Sequence, residues 1–210
     1  MAIKGQGATL SVGSAISGTA ISVTAATAAS PVVLTATNTL TAGDIIVASM
    51  FVGPTVLNNR AFVASPVTGT TVSLKGEDGT GNATWVSGGS LQKWTMIGVS
   101  AITNIQGFDG QASEIDTTHL QSPAKEFLQG LQDFGQVTFT TQQVSDTGQT
   151  RLRSLKASST VAPFSITLSD GTTAAFMAFV KQYSFAGVQP DGAVTNSVTL
   201  RVTNAPAWFA

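Results

Sequence analysis

Val137, Phe139 and Thr141 alternate with polar neighbours, and this two-residue period returns at Phe164, Ile166 and Leu168 and again at Val198, Leu200 and Val202. Alternation of this kind places one face of an extended chain in a core and the other in water, so it commits the C-terminal half to β-structure. The punctuation agrees. Asp170-Gly171 reads as a tight hairpin turn and Pro190-Asp191-Gly192 as another, because Gly tolerates the positive φ that tight turns require. Between the turns, Thr172 to Phe185 is apolar on both faces, with Phe176, Ala178 and Val180 on one and Met177, Phe179, Tyr183 and Phe185 on the other. That strand is expected to be buried on both sides.

One helix interrupts the pattern, expected at about Asp146 to Ser158. Asp146 is its candidate N-cap, Leu152 and Leu155 share a face, and Arg151, Arg153 and Lys156 occupy the rest.

The N-terminal part differs in texture. Residues 8–12 read as a short strand, and another begins at Trp94 and runs toward Ile105. Between them the composition shifts to Ala, Thr, Ser and Val, with strand-like runs at Ile45 to Phe51, Arg60 to Val67 and Thr71 to Leu74 separated by turn clusters. The expected organisation is a discontinuous main β domain, 1–14 and 94–210, with a small all-β module, 15–93, inserted in an early loop, where chain ends lie close together and insertion is tolerated.

Charge narrows the function classes. Asp, Glu, Lys and Arg make up 10 % of the chain and the net charge is −1, against about 25 % charged residues in a usual domain. A surface of small neutral polar groups costs little to desolvate, which suits contact with other protein surfaces. No basic stripe is present to neutralise phosphates, so specific nucleic-acid binding is not expected. Cysteine is absent and His119 is the single histidine, which removes disulfides and the usual zinc ligand sets, so neither a metal nor a cofactor is expected. No apolar run is long enough for a membrane-crossing helix, and the first residues, Met-Ala-Ile-Lys-Gly-Gln-Gly, carry no apolar signal core, which points to synthesis and retention in a cytoplasm.

The candidate catalytic elements are weak. Asp146-Thr147-Gly148 matches the aspartic-protease triplet, in which two juxtaposed carboxylates share a proton; a single copy could act only in a dimer, and here it opens a helix. Glu77 to Asn82 resembles part of a calcium loop but lacks the alternating acids and the bidentate Glu. Glu114 and Asp116 project from one face of an extended stretch, a pattern a paired-carboxylate glycosidase shares with any solvated edge. No Gly-x-Ser-x-Gly elbow accompanies His119.

Residues 113–135 carry the most information. A strand enters from Glu114 to Thr118 and another leaves from Gln136; between them an ordered loop holds Leu120, Phe127, Leu128, Leu131 and Phe134. Loops this long are usually functional or disordered, and so much apolar content argues against disorder. Such a loop must dock, on another subunit or on its own sheet.

With these residues in view, the sequence resembles the major tail tube proteins of long-tailed, non-contractile bacteriophages. The resemblance is carried by Glu114-Ile115-Asp116-Thr117-Thr118 running into Ser122-Pro123-Ala124-Lys125-Glu126-Phe127, and by Gly130-Leu131-Gln132-Asp133-Phe134-Gly135 leading into Val137-Thr138-Phe139. Ile166 to Val180 and the closing Val198 to Val202 continue it. It spans about 1–14 and 94–210, and it implies a mainly β tail-tube sandwich or barrel with one flanking helix. It further implies six-membered rings stacked into a tube that holds the tape-measure protein, meets tail terminator and tail-tip proteins, and later passes double-stranded DNA without binding it specifically. Thr117, Thr118, His119, Leu120, Ser122, Pro123, Phe127, Leu128, Leu131 and Phe134 would lie at contacts between subunits and rings. Residues 15–93 depart from the basic pattern and look like an accessory module. The competing readings are an inner tube subunit of a contractile tail or secretion system, a capsid-decorating or adhesin module argued from residues 15–92, and a dimeric protease using Asp146.

Overall fold

The computed structural model describes residues 3–108, 110–188 and 192–208; of the expected turn at 190–192, Pro190 and Asp191 lie outside them. The chain is mainly β. One large antiparallel sheet contains β1 (Thr9–Ser22), β2 (Ala25–Ala26), β3 (Val33–Thr35), β4 (Ile45–Val52), β5 (Arg60–Val67), β6 (Thr71–Leu74), β7 (Ser87–Gly98), β8 (Ile102–Gly107), β11 (Gln136–Gln142), β12 (Ala162–Thr167), β13 (Thr173–Gly187) and β14 (Thr195–Val202). Its strand order is β2-β3-β6-β5-β4-β7-β1-β12-β13-β14-β11-β8. A separate two-stranded sheet pairs β9 (Ala112–Asp116) with β10 (Phe127–Gln132), and a single α-helix, α1, spans Thr147–Ser158.

The sheet wraps around two apolar cores. One gathers Leu10, Val12, Val137, Phe139, Phe164, Phe176, Val198 and Leu200 beneath Leu152 and Leu155 of α1. The other gathers Leu34, Ile46, Phe51, Leu57, Phe62, Val72, Leu74 and Leu91. Strand β13 belongs to both: Phe176, Ala178 and Val180 point into the first core, Ala175 and Met177 into the second. This is the physical reason both faces of its first half are apolar.

The long strands β1 and β7 connect the two bodies. They pair antiparallel from Ser11↔Gly98 to Ser22↔Ser90, with bulges after Gly13 and Ser17. They therefore run across positions 14/15 and 93/94, and β4 adds to β7 from Ile45↔Trp94 to Val52↔Ser87. Residues 204–208 tie the bodies together again. Arg60 Nε donates to the Ala205 carbonyl at 2.9 Å, Asn204 Nδ2 to the Asn59 carbonyl at 2.6 Å, and Ala207 exchanges backbone hydrogen bonds with Ala175.

Each turn follows its local chemistry. At Asp170-Gly171 the Gly adopts φ +86° and the Asp170 carboxylate accepts from both the N–H and the hydroxyl of Thr172. The run from Trp94 toward Ile105 is two strands, not one: the chain breaks at Ser100–Ala101, where Ala101 takes φ +59°, and returns antiparallel to β11 as β8.

Candidate functional site

The segment from 111 to 134 leaves the body of the protein. None of its residues is fully buried. It is more ordered than a loop: β9 and β10 form an antiparallel hairpin in which Leu128 faces Ile115, Gln129 faces Glu114 and Phe127 faces Asp116. Phe-Leu-Gln-Gly-Leu-Gln does not alternate cleanly, because a bulge between Gln129 and Gln132 shifts its register against β9. Gly130 is required by close packing, since a Cβ there would run into the side chain and carbonyl of Ser113.

The tip is organised by its own short polar side chains. Thr117 N–H and hydroxyl both donate to the Glu126 carbonyl, at 2.9 and 3.2 Å. Glu126 N–H donates to the Thr118 hydroxyl at 3.0 Å, and Thr118 N–H donates to the Asp116 carboxylate at 2.8 Å. Beyond them His119 to Ser122 form a turn in which the Ser122 N–H donates to the His119 carbonyl, and the Ser122 hydroxyl lies 3.1 Å from His119 Nδ1. The Ser–His pair sits on an exposed turn and closes it; no carboxylate hydrogen-bonds to that histidine among the described residues. Asp116 is held below its ordinary pKa by the Thr118 hydrogen bonds, as a capping carboxylate should be.

The base of the hairpin is fixed, in contrast to its faces. Asp133 accepts from Gly135 N–H at 2.8 Å and pairs with Arg201 of β14 at 2.7 Å. Gly110 lies so close to the backbone of Asp133–Gly135 that a Cβ would collide with it. Phe134 is partly buried against the core of its own chain. The arm therefore has a rigid root and projects Ile115, Leu120, Phe127, Leu128 and Leu131 into solvent; Leu128 is 60 % and Leu131 90 % exposed. Pro123 is also exposed, at the tip.

Asp146 has a different setting. It N-caps α1: its carboxylate accepts from Gln149 N–H at 3.1 Å and, across the chain, from Ser100 N–H and hydroxyl at 3.2 and 3.1 Å. Partial burial works to raise its pKa, but the hydrogen bonds from Ser100, Gln149 and Gly148 outweigh it and hold the carboxyl below the usual range. Gly148 completes the triplet for a packing reason, since a Cβ there would strike the Gly98 carbonyl and the Val99 backbone.

Sequence reading missed Gln149. It is fully buried on α1, and its Nε2 lies within hydrogen-bonding distance of the Thr141 hydroxyl (2.9 Å) and the Gln142 and Ser100 carbonyls (2.8 and 3.3 Å). Its position in line with Leu152 and Leu155 was the only available signal. Glu77, in the calcium-like stretch, is engaged elsewhere: it forms a two-fold ion pair with Arg60 at 2.6 and 2.7 Å, nearly buried, with the guanidinium over the Phe62 ring. No group of three or more metal-ligating side chains occurs among the described residues. A recess of about 470 Å³ beside β8, lined by Ile102, Ile105, Phe108, Val137, Ile166 and Leu168, has no titratable side chain among its described lining residues.

Residues 83–178 match the family model described as phage tail tube, TTP, lambda-like. The matched segment takes in β7 and β8, the whole arm, α1, β12 and the buried first part of β13. No curated protein matches the chain.

Proposed function

Because residues 83–178 match the model of the lambda-like phage tail tube family, we propose that the chain is a tail tube protein, a structural component of the virion tail, and that its copies close into six-membered rings that stack into the tube. In this reading the tube encloses the tape-measure protein during assembly, meets terminator and tip proteins at its ends, and later conducts DNA to the host. The protein performs no catalysis; Asp146, the one residue with a protease-like context, serves α1 as a cap.

The observation that supports this reading most is the arm. A chain that buries Phe62, Phe139, Phe164 and Phe176 completely nonetheless presents five large apolar side chains on one projecting hairpin. Exposed apolar surface gathered in this way marks an interaction site. Thr117, Thr118, His119, Leu120, Ser122 and Pro123 at the tip, with Phe127, Leu128 and Leu131 on β10, meet neighbouring copies, and Phe134 hinges the contact to the core. Each Leu buried there contributes roughly 1.5–3 kcal/mol, and in a closed ring the gain recurs at every equivalent contact. Residues 15–93 act as an accessory module on the outside of the tube.

Electron microscopy of the purified protein over a concentration series tests the proposal. Hollow tubes or stacked rings with six-fold end views are expected. A folded protein that remains monomeric at every concentration, or rings of another symmetry, would overturn it.

A further inference from the structure

The few charges of this chain are sorted by place. Three ion pairs, Arg60–Glu77, Lys93–Asp44 and Arg201–Asp133, account for six of the twenty-one charged residues. Among those that form no ion pair within the described residues, Lys4, Lys75, Asp78, Asp146 and Asp170 are scattered, and two groups stand out. Arg151, Arg153 and Lys156 lie along α1 and Lys181 lies on the adjacent stretch of β13. Glu114, Asp116 and Glu126 lie on the arm, offset only by Lys125.

Arg153, Lys156 and Lys181 form one basic patch on the β13 flank of α1, whereas Arg151 reaches the opposite flank, toward β1. Lys156 Nζ donates to the Lys181 carbonyl at 2.6 Å, and the Arg153 guanidinium stands 6.0 Å over the Tyr183 ring. Arg151 is partly committed, donating to the Gly13 carbonyl at 3.1 Å. Phe185, two residues beyond Tyr183 on the same side of β13, is 73 % exposed. The patch therefore combines cations with an exposed aromatic ring. The arm combines acids with exposed leucines. Lys181 Nζ donates to Gln136 Oε1 at 3.0 Å, beside the root of the arm, while Glu114, Asp116 and Glu126 lie out along the hairpin.

We propose that the acidic, apolar arm of one copy docks on the basic α1–β13 patch of the next. The occupant of the patch is thus a second copy of this chain, and the contact is head-to-tail, of the kind that closes into rings or continues as a helix. This rests on the tube reading above and adds the surface that receives the arm. Opposite potentials across the contact steer the encounter and fix its register, while like charges oppose two arms or two helices meeting.

The test exchanges the charges. One variant carries Arg153→Glu and Lys156→Glu, a second Glu114→Lys and Glu126→Lys, and a third carries all four substitutions. All four sites are exposed, so every variant should stay folded, the helix reversal melting slightly below wild type because Lys156 lies in the last turn of α1 and donates to the Lys181 carbonyl. Each two-site variant is expected to need about tenfold or more protein to polymerise, the effect of turning attraction into repulsion. The four-site chain, and a one-to-one mixture of the two-site variants, should return close to the wild-type threshold. Wild-type assembly should also weaken as salt is raised, since exposed charges are screened. If the wild type polymerises but the helix reversal leaves assembly unchanged, or the four-site chain is as defective as its parents, the docking inference fails while the tube reading stands. If the wild type forms no polymer, both fail. If a short DNA duplex binds the wild type at physiological salt and the helix reversal abolishes only that binding, the patch is a nucleic-acid contact and the inference is wrong.

Discussion

The region 15–93 and the arm 111–134 are both β-structure attached to the same sheet, yet one is finished and the other is not. In the first, Leu34, Ile46, Phe62 and Leu74 form a sealed core, with Met50, Val56 and Val86 left exposed singly around it, and four of its six charges are paired, Arg60 with Glu77 and Lys93 with Asp44. In the second no residue is fully buried, Glu114, Asp116 and Glu126 form no ion pair among the described residues (only Asp133, at the root, is paired, with Arg201), and the leucines face water. On the proposed reading, the first region supplies stability and the second assembly. A surface whose groups are satisfied internally gains little from a partner, whereas one with unpaired charge and exposed apolar area gains on association.

Excision is the largest perturbation of that contrast. Replacing residues 17–91 with a short Gly-Ser linker removes an entire core and uncovers Ala175 and Met177 on β13, so Met177→Thr should accompany it. The shortened chain is expected to melt well below wild type yet still give tubes of unchanged bore by electron microscopy. Folded but unpolymerised protein would show that the region is part of the ring.

Arg60→Ala comes next. It leaves Glu77 nearly buried without its partner, and breaking such a pair costs about 3–5 kcal/mol. Chemical denaturation should show the loss, while the variant, where folded, should assemble at the wild-type threshold.

Leu131→Ser should do the reverse. Its side chain is almost wholly exposed in the monomer, so monomer stability should change by less than about 0.5 kcal/mol. Polymerisation should weaken by roughly 1.5–3 kcal/mol per contact, read as a rise in the assembly threshold. Hydrogen exchange sharpens the point: residues 120–134 should be more protected in tubes than in monomers, and equal protection would place the arm on its own subunit.

The smallest effect is expected at Asp146→Asn. Asn caps a helix nearly as well as Asp, so stability at neutral pH should fall by a few tenths of a kcal/mol. The pH dependence is more informative. The folded-state pKa of Asp146 lies below its unfolded value; the stabilisation is therefore fully present above the ordinary carboxylate pKa and is lost as pH falls through the folded one. Melts at acid pH should show wild type converging on the Asn variant.

Much of this was legible in the sequence, for identifiable reasons. The runs Arg60–Val67 and Thr71–Leu74 coincide with β5 and β6 because β-branched and aromatic residues there end at strong turn signals. Asp170-Gly171 and the helix carry their own local chemistry. Strand β1, by contrast, continues ten residues beyond Val12, through Gly-Ser-Ala-Ile-Ser-Gly-Thr-Ala, where small residues and two bulges erase the alternation. Strand β7 begins before Trp94 in Ser-Gly-Gly-Ser, which its partners β1 and β4 hold extended and which no propensity would assign. At the arm, the apolar content was visible but the hairpin was not, since pairing of β10 with β9 is a long-range fact. The opposition of its acids to the basic helix likewise appears only when the fold separates them in space.

Buried Gln149 has a geometric consequence. A helix seated on leucines alone can roll about its axis at little cost, because the hydrophobic effect has no direction. With three acceptors grouped around one amide, α1 has a single rotational setting, and any roll would strand a buried polar group. In the proposed ring, an angular error at one joint would repeat at every joint, so a few degrees of play would open it into a spiral or change the number of its members. One buried amide thus sets the angular tolerance of the helix, and, if α1 lies at the proposed joint, how reliably a chain of copies can meet its own beginning.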